Sequence, residues 1–155
     1  MAAPKMLILY FSGSGNTEKM ANMIAEGARP LSIEVTVGKA EKFDASLLPN
    51  FDALVLGSPT YFSNMAWQVK KIVDESIVHY KGGKLRGKVG GVFTSSGTAR
   101  DGKDCVKMLE VALGFHHKMR VIEGIVRATG DSEKETENKC REYGKKLAEE
   151  MSKGA

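Results

Sequence analysis

Six residues near the amino terminus, Ser12-Gly13-Ser14-Gly15-Asn16-Thr17, gather glycines, hydroxyls and an amide into one turn. They follow an apolar run, Lys5 to Phe11, and open a stretch, Asn16 to Ala28, in which Met20, Met23, Ile24 and Ala28 recur at helical spacing. A strand that turns into a helix there presents unpaired amide hydrogens and a partial positive charge, which suit a phosphate. Gly13 and Gly15 let the backbone come close, and Ser12, Ser14, Asn16 and Thr17 add neutral donors. Two other phosphate loops do not fit. A nucleotide P-loop requires Gly-Lys-Ser/Thr, which occurs nowhere in the chain, and the dinucleotide fingerprint requires a third glycine where Glu18 stands. That fingerprint also wants an acidic residue near the end of the second strand, where the chain reads Val37-Gly38-Lys39. Taken alone, the turn is as consistent with a plain capped strand-to-helix connection as with an anion site.

Two further turns bear on the choice. Gly57-Ser58-Pro59-Thr60-Tyr61-Phe62-Ser63-Asn64-Met65 leaves an apolar run and carries two aromatics. Thr94-Ser95-Ser96-Gly97-Thr98-Ala99-Arg100-Asp101-Gly102 leaves another with hydroxyls and backbone donors. A phosphate turn flanked by an aromatic loop and a polar loop suits a phosphorylated, planar heteroaromatic ligand. Tyr61, Phe62 or Tyr80 would cover a ring face and the polar loop would bond a ring edge. Taken singly, Tyr61 and Phe62 read first as loop anchors, and His116 and His117 as a polar helix end.

The elements that must position these turns alternate from end to end. Strands are expected at Lys5–Phe11, Ser32–Val37, Phe51–Gly57 (ended by Pro59), Val89–Phe93 and Met119–Val126. Helices are expected at Asn16–Ala28, Met65–Val78, Lys103–Leu113 (ended by Gly114) and Ser132–Met151, the last opened by a capping box, Ser132 with Glu135. About five strands interleaved with helices predict an α/β fold, a doubly wound parallel sheet with helices on both faces. Ligands of such sheets sit outside the carboxyl ends of the strands, where all three turns lie. The length, 155 residues, suits one domain spanning 1–155. Two cysteines, Cys105 and Cys140, lack the spacing of a disulfide framework or a metal site, so no metal is expected. No apolar run nears the roughly 20 residues of a membrane helix, and no signal-like segment precedes the first strand, so a cytoplasmic protein without membrane insertion is expected. The net charge of +4 comes from 23 basic and 19 acidic residues spread along the chain, not from a dense basic block, so nucleic acid is not expected as a partner.

Together the three turns resemble the flavodoxin superfamily. The first is similar to the flavodoxin loop for the phosphate of flavin mononucleotide (FMN). The other two resemble the WrbA-type NAD(P)H:quinone oxidoreductases, whose loops read Gly-x-Pro-Thr-x-Phe-x-Asn-Met and Ser-Thr-Gly-Thr-Gly. Gly114-Phe115-His116-His117-Lys118-Met119 is similar to that family's His-His-Gly-Met stretch. The resemblance implies a three-layer sandwich with strand order 2-1-3-4-5 and FMN as cofactor. It implies that Ser12, Gly13, Ser14, Gly15, Asn16 and Thr17 hold the phosphate, and that Pro59, Thr60, Tyr61, Phe62 and Asn64 form the loop lining the isoalloxazine. Ser95, Ser96, Gly97, Thr98, Ala99 and Arg100 would bond the flavin edge and the ribityl side, and His116 would approach the ring. Tyr80 stands where those reductases place a ring-facing tryptophan.

The departures point elsewhere. The quinone reductases have insertions after the second and last strands, where this chain has only Gly38 to Asn50 and Arg127 to Ser132. The pocket and tetramer those insertions help shape are therefore not expected to carry over unchanged, and oligomeric state stays open. The first expectation is a flavodoxin-like electron carrier with no catalytic side chain, the flavin doing the redox chemistry. Arg100, Asp101, Lys103 and Lys118 are expected to form a partly basic rim for a redox partner protein or a pyridine-nucleotide phosphate. The alternative is a small NAD(P)H-dependent quinone or flavin oxidoreductase. A cofactor-free receiver is the third reading and is not expected, because its acidic cluster and acceptor aspartate are replaced by Tyr10-Phe11-Ser12 and Ser58-Pro59-Thr60.

Overall fold

A computed structural model describes residues 2–154. Its strands are β1 (Lys5–Tyr10), β2 (Glu34–Lys39), β3 (Ala53–Tyr61), β4 (Asn64–Met65), β5 (Val89–Ser96), β6 (Arg120–Val121) and β7 (Ile125–Ala128). Its helices are α1 (Asn16–Ala28), α2 (Trp67–Glu75), α3 (Ile77–Tyr80), α4 (Ala99–Glu110) and α5 (Glu133–Lys153). The sheet order is β2-β1-β3-β5-β6, with β7 pairing with β5 beyond β6. All these pairs are parallel, and the short β4 folds back antiparallel on β3. Counting β6 and β7 as one interrupted strand, this is the expected 2-1-3-4-5 order with helices on both faces.

Strand alternation sorts the core into two layers. Met6, Ile8 and Phe93 pack with Met20 and Ile24 of α1 and Cys140 and Leu147 of α5. Leu7, Leu9, Leu54 and Leu56 face Val69 and Ile72 of α2 and Leu109 of α4. α1 and α5 touch backbone to backbone: a Cβ at Gly27 would overlap the Arg141 carbonyl, and one at Gly144 the Ile24 carbonyl.

Several boundaries differ from expectation. Pro59 does not end β3, which runs to Tyr61. The carbonyl of Gly57 accepts from Phe11 on the β1 side; Pro59, two residues on, faces the same side, where no strand is left to need its missing N–H. β5 likewise runs past Phe93 to Ser96. α4 starts at Ala99 rather than Lys103, because Thr98 caps it by accepting from the Asp101 amide. Gly114 does not end that helix. The chain continues as a π-helical turn, Val111–His116, with His117 N donating to Ala112 O, and the left-handed residue that breaks it is Lys118 (φ 60°). The Met65–Val78 helix divides at Ser76, whose hydroxyl donates back to the Val73 carbonyl. The last strand is interrupted at 122–124, where the Tyr143 hydroxyl enters the ladder, accepting from Val92 N and donating to Ile122 O. Ser132 caps α5 as its capping box predicts, accepting from the Glu135 amide at 3.3 Å.

Candidate functional site

The carboxyl ends of β1, β3 and β5 open into a cleft of about 360 Å³ lined by Gly13, Ser14, Asn16, Pro59, Thr60, Tyr61, Ser95, Ser96, Gly97, Arg127 and Thr129. Each wall has a local cause. Gly15 takes φ 99°, a conformation that favours glycine, and its amide donates to Ser12 Oγ at 3.0 Å, which sets the turn. Ser12 and Gly15 therefore shape the first wall, while Gly13, Ser14 and Asn16 face the cleft. α1 has no side-chain cap, unlike α4 and α5, so its first amides point outward without a local acceptor. Thr17 is buried and meets Ser95 hydroxyl to hydroxyl at 2.8 Å, fastening the helix start to β5.

Glu18, the acidic residue in the first turn of α1, accepts from the Tyr10 hydroxyl at 2.7 Å. Burial, with Glu18 beside it, pushes the Tyr10 phenol up to about 12, so it stays a proton donor and keeps that carboxylate engaged.

The second wall is a hairpin. Tyr61 pairs with Asn64 across a two-residue turn in which Phe62 and Ser63 both take positive φ, 51° and 63°. That geometry is costly for a bulky residue and leaves the Phe62 ring fully exposed, with Tyr61 half-exposed beside it. The hairpin is clasped to α4, where Ser63 Oγ donates to Asp101 Oδ1 at 3.0 Å, and to β5, where Thr60 and Thr94 share a hydrogen bond at 2.7 Å. A Cβ at Gly13 would come within 2.9 Å of the Tyr61 hydroxyl, so the glycine lets the two loops close. Behind them lies Cys105, whose thiol is raised by burial and held neutral.

The third wall carries an unsatisfied group. Ser96 Oγ is buried and has no hydrogen-bond partner. Thr98 is spent on the α4 cap, Ala99 lines a different groove along α4 and β7, and Arg100 is exposed in the first helical turn. Of the residues expected at this loop, Ser95, Ser96 and Gly97 line the cleft.

His116 and Tyr80 lie elsewhere. α4 runs from the carboxyl end of β5 back to its amino end, and there the Tyr80 ring sits 6.5 Å from His116 and 6.1 Å from His117. The adjacent loop is fixed to the amino end of β5 by Gly87 N to Lys118 O and Arg120 N to Lys88 O. These aromatics line a separate cleft of about 480 Å³ with Val73, Asp74, Ser76 and Ile77. His117 Nε2 donates to Ser76 Oγ there at 2.8 Å, because the Ser76 proton goes to Val73 O. Lys118 belongs to this end too, so it does not join Arg100, Asp101 and Lys103 in one rim. Two cleft residues escaped the sequence, Arg127 and Thr129; the available signal was a charged residue inside the apolar run Ile125-Val126-Arg127-Ala128.

Among solved structures, the flavodoxin WrbA-like protein from Agrobacterium tumefaciens superposes with a TM-score of 0.84 at 26% identity, covering 99% of this chain and 100% of that one. Flavodoxin 2 from Bacillus cereus does so with a TM-score of 0.80 at 29% identity, covering 94% and 99%. A protein from Rhizobium rhizogenes named NAD(P)H dehydrogenase (quinone) is 36% identical over 76% of this chain and 69% of its own length. A family model described as NADPH-dependent FMN reductase matches residues 6–133, a span that runs from β1 to the start of α5 and contains every wall of the cleft. The chain has the flavodoxin-like fold and belongs to the NADPH-dependent FMN reductase family.

Proposed function

We propose that this chain holds FMN in the 360 Å³ cleft and acts as an NAD(P)H-dependent oxidoreductase on a quinone or a free flavin. The observation that carries the reading is the uncapped start of α1, whose unpaired amides open with Gly13, Ser14 and Asn16 into a cleft walled also by the Tyr61 hairpin and the loop at 95–97. A ligand carrying a phosphate satisfies those amides; a neutral apolar ligand leaves them unpaired. Bound there, FMN supplies the two-electron redox chemistry. The outward amides of α1 with Ser14 and Asn16 would receive the phosphate. The Gly97 backbone would bond the ring edge, and Tyr61 and Phe62 would cover a ring face and exclude water. A reductase rather than a carrier is favoured by the family matched and by the quinone dehydrogenase relative. The two buried reduced cysteines suit the cytoplasm.

One observation favours the carrier: the chain spans 69% of that relative but matches flavodoxins over nearly their whole length. The test is steady-state oxidation of NADPH and NADH by the FMN-loaded protein with a soluble benzoquinone. Turnover above about 1 s⁻¹, within the ordinary range for enzymes, supports the reductase. Flavin binding without such turnover assigns the carrier role instead.

A further inference from the structure

Arg127 is an unexplained charge in the cleft. In the register of β5 and β7 it lies beside Ser95, and Ser95 reaches Thr17 in the first turn of α1. Ile125, two residues before it, packs into the α1–α5 layer, whereas Val126 packs into the opposite one. Alternation therefore sends the Arg127 side chain toward α1, and it lines the cleft with Gly13, Ser14 and Asn16. Thr129 fixes the chain just beyond it, its amide donating to Ser96 O at 2.9 Å.

The placement is electrostatically unfavourable as it stands. The start of α1 is the positive end of a helix dipole, and the guanidinium adds a second positive centre. Among the described residues no carboxylate lies within ion-pair distance of Arg127. Glu18, the acidic residue of that helical turn, is held by Tyr10. An anion between the guanidinium and the helix start turns the repulsion into two attractions, and a planar guanidinium suits the oxygens of a phosphate. The turn itself offers only neutral donors.

We infer that Arg127 is the charged anchor of the FMN phosphate dianion, giving the site its preference for the phosphorylated flavin over riboflavin. This rests on the flavin reading above. The test titrates FMN and riboflavin into the full chain freed of bound flavin, at low and high salt, for the wild type, Arg127→Gln and Arg127→Lys. The wild type binds FMN more tightly than riboflavin. Arg127→Gln weakens FMN about 10- to 100-fold and leaves riboflavin within about threefold, as expected for losing a charged hydrogen bond. Arg127→Lys recovers part of the loss, and the salt dependence of FMN binding shrinks in Arg127→Gln. Unchanged FMN affinity in Arg127→Gln overturns the inference and leaves the flavin reading standing. An equal loss for both ligands overturns it too, since the effect then is not on the phosphate. A wild type that binds neither ligand overturns both.

Discussion

Thr17 and Ser95 meet hydroxyl to hydroxyl at 2.8 Å, 78 residues apart in sequence, in the seam where α1 begins and β5 ends. This contact joins the turn at 12–17 to the loop at 94–102, and Arg127 is placed by its register with the same serine. Thr17→Val leaves Ser95 Oγ without its partner in a buried seam. A loss of about 1–2 kcal/mol in urea denaturation is expected, together with weaker FMN binding in fluorescence titration.

Phe62 couples local strain to the site. Its φ of 51° costs on the order of 1 kcal/mol for a non-glycine residue, and its ring is fully exposed. Phe62→Gly should hold or raise the melting temperature of the flavin-free chain while weakening FMN and riboflavin alike, about tenfold. Equal flavin affinities in the two proteins would remove Phe62 from the ring site.

Tyr143 stands in for a missing rung of the sheet. Tyr143→Phe leaves the buried Val92 amide without an acceptor and should cost about 1–3 kcal/mol in chemical denaturation. Its hydroxyl acts on the strand interruption rather than on the cleft, so flavin affinity should change little.

Gly144 sits against the Ile24 carbonyl of α1. Gly144→Ala must push the two helices apart, and a loss of at least about 2 kcal/mol is expected, read as a lowered denaturation midpoint.

His117 makes stability depend on acid. Burial, and then the neighbouring His79 and His116, hold its imidazole below the usual histidine value, so the folded state binds this proton less readily than the unfolded chain. The contribution is complete above pH about 6.5 and is lost as the pH falls from there through the depressed folded value. Melting temperature followed from pH 8 to 5 should drop in that window, and His117→Gln should flatten the drop.

The sequence determined the order and identity of the elements, because apolar period and turn chemistry are local. LILYF and ALVLG read as strands buried on both faces, and Ser132 with Glu135 reads as the start of α5. It also picked out nine residues that line the cleft, since glycines and hydroxyls at strand ends announce themselves. Only tertiary structure decided the rest. Pro59 continues a strand because its neighbour has ended, and Gly114 continues a helix because Lys118 takes the left-handed turn. His116 and Tyr80 lie at the far end of the sheet because α4 carries the chain from one end of β5 to the other. Arg127 joins the cleft through its register with Ser95. Register and helix direction bring together residues far apart in sequence, and no local pattern records which end of the sheet they reach.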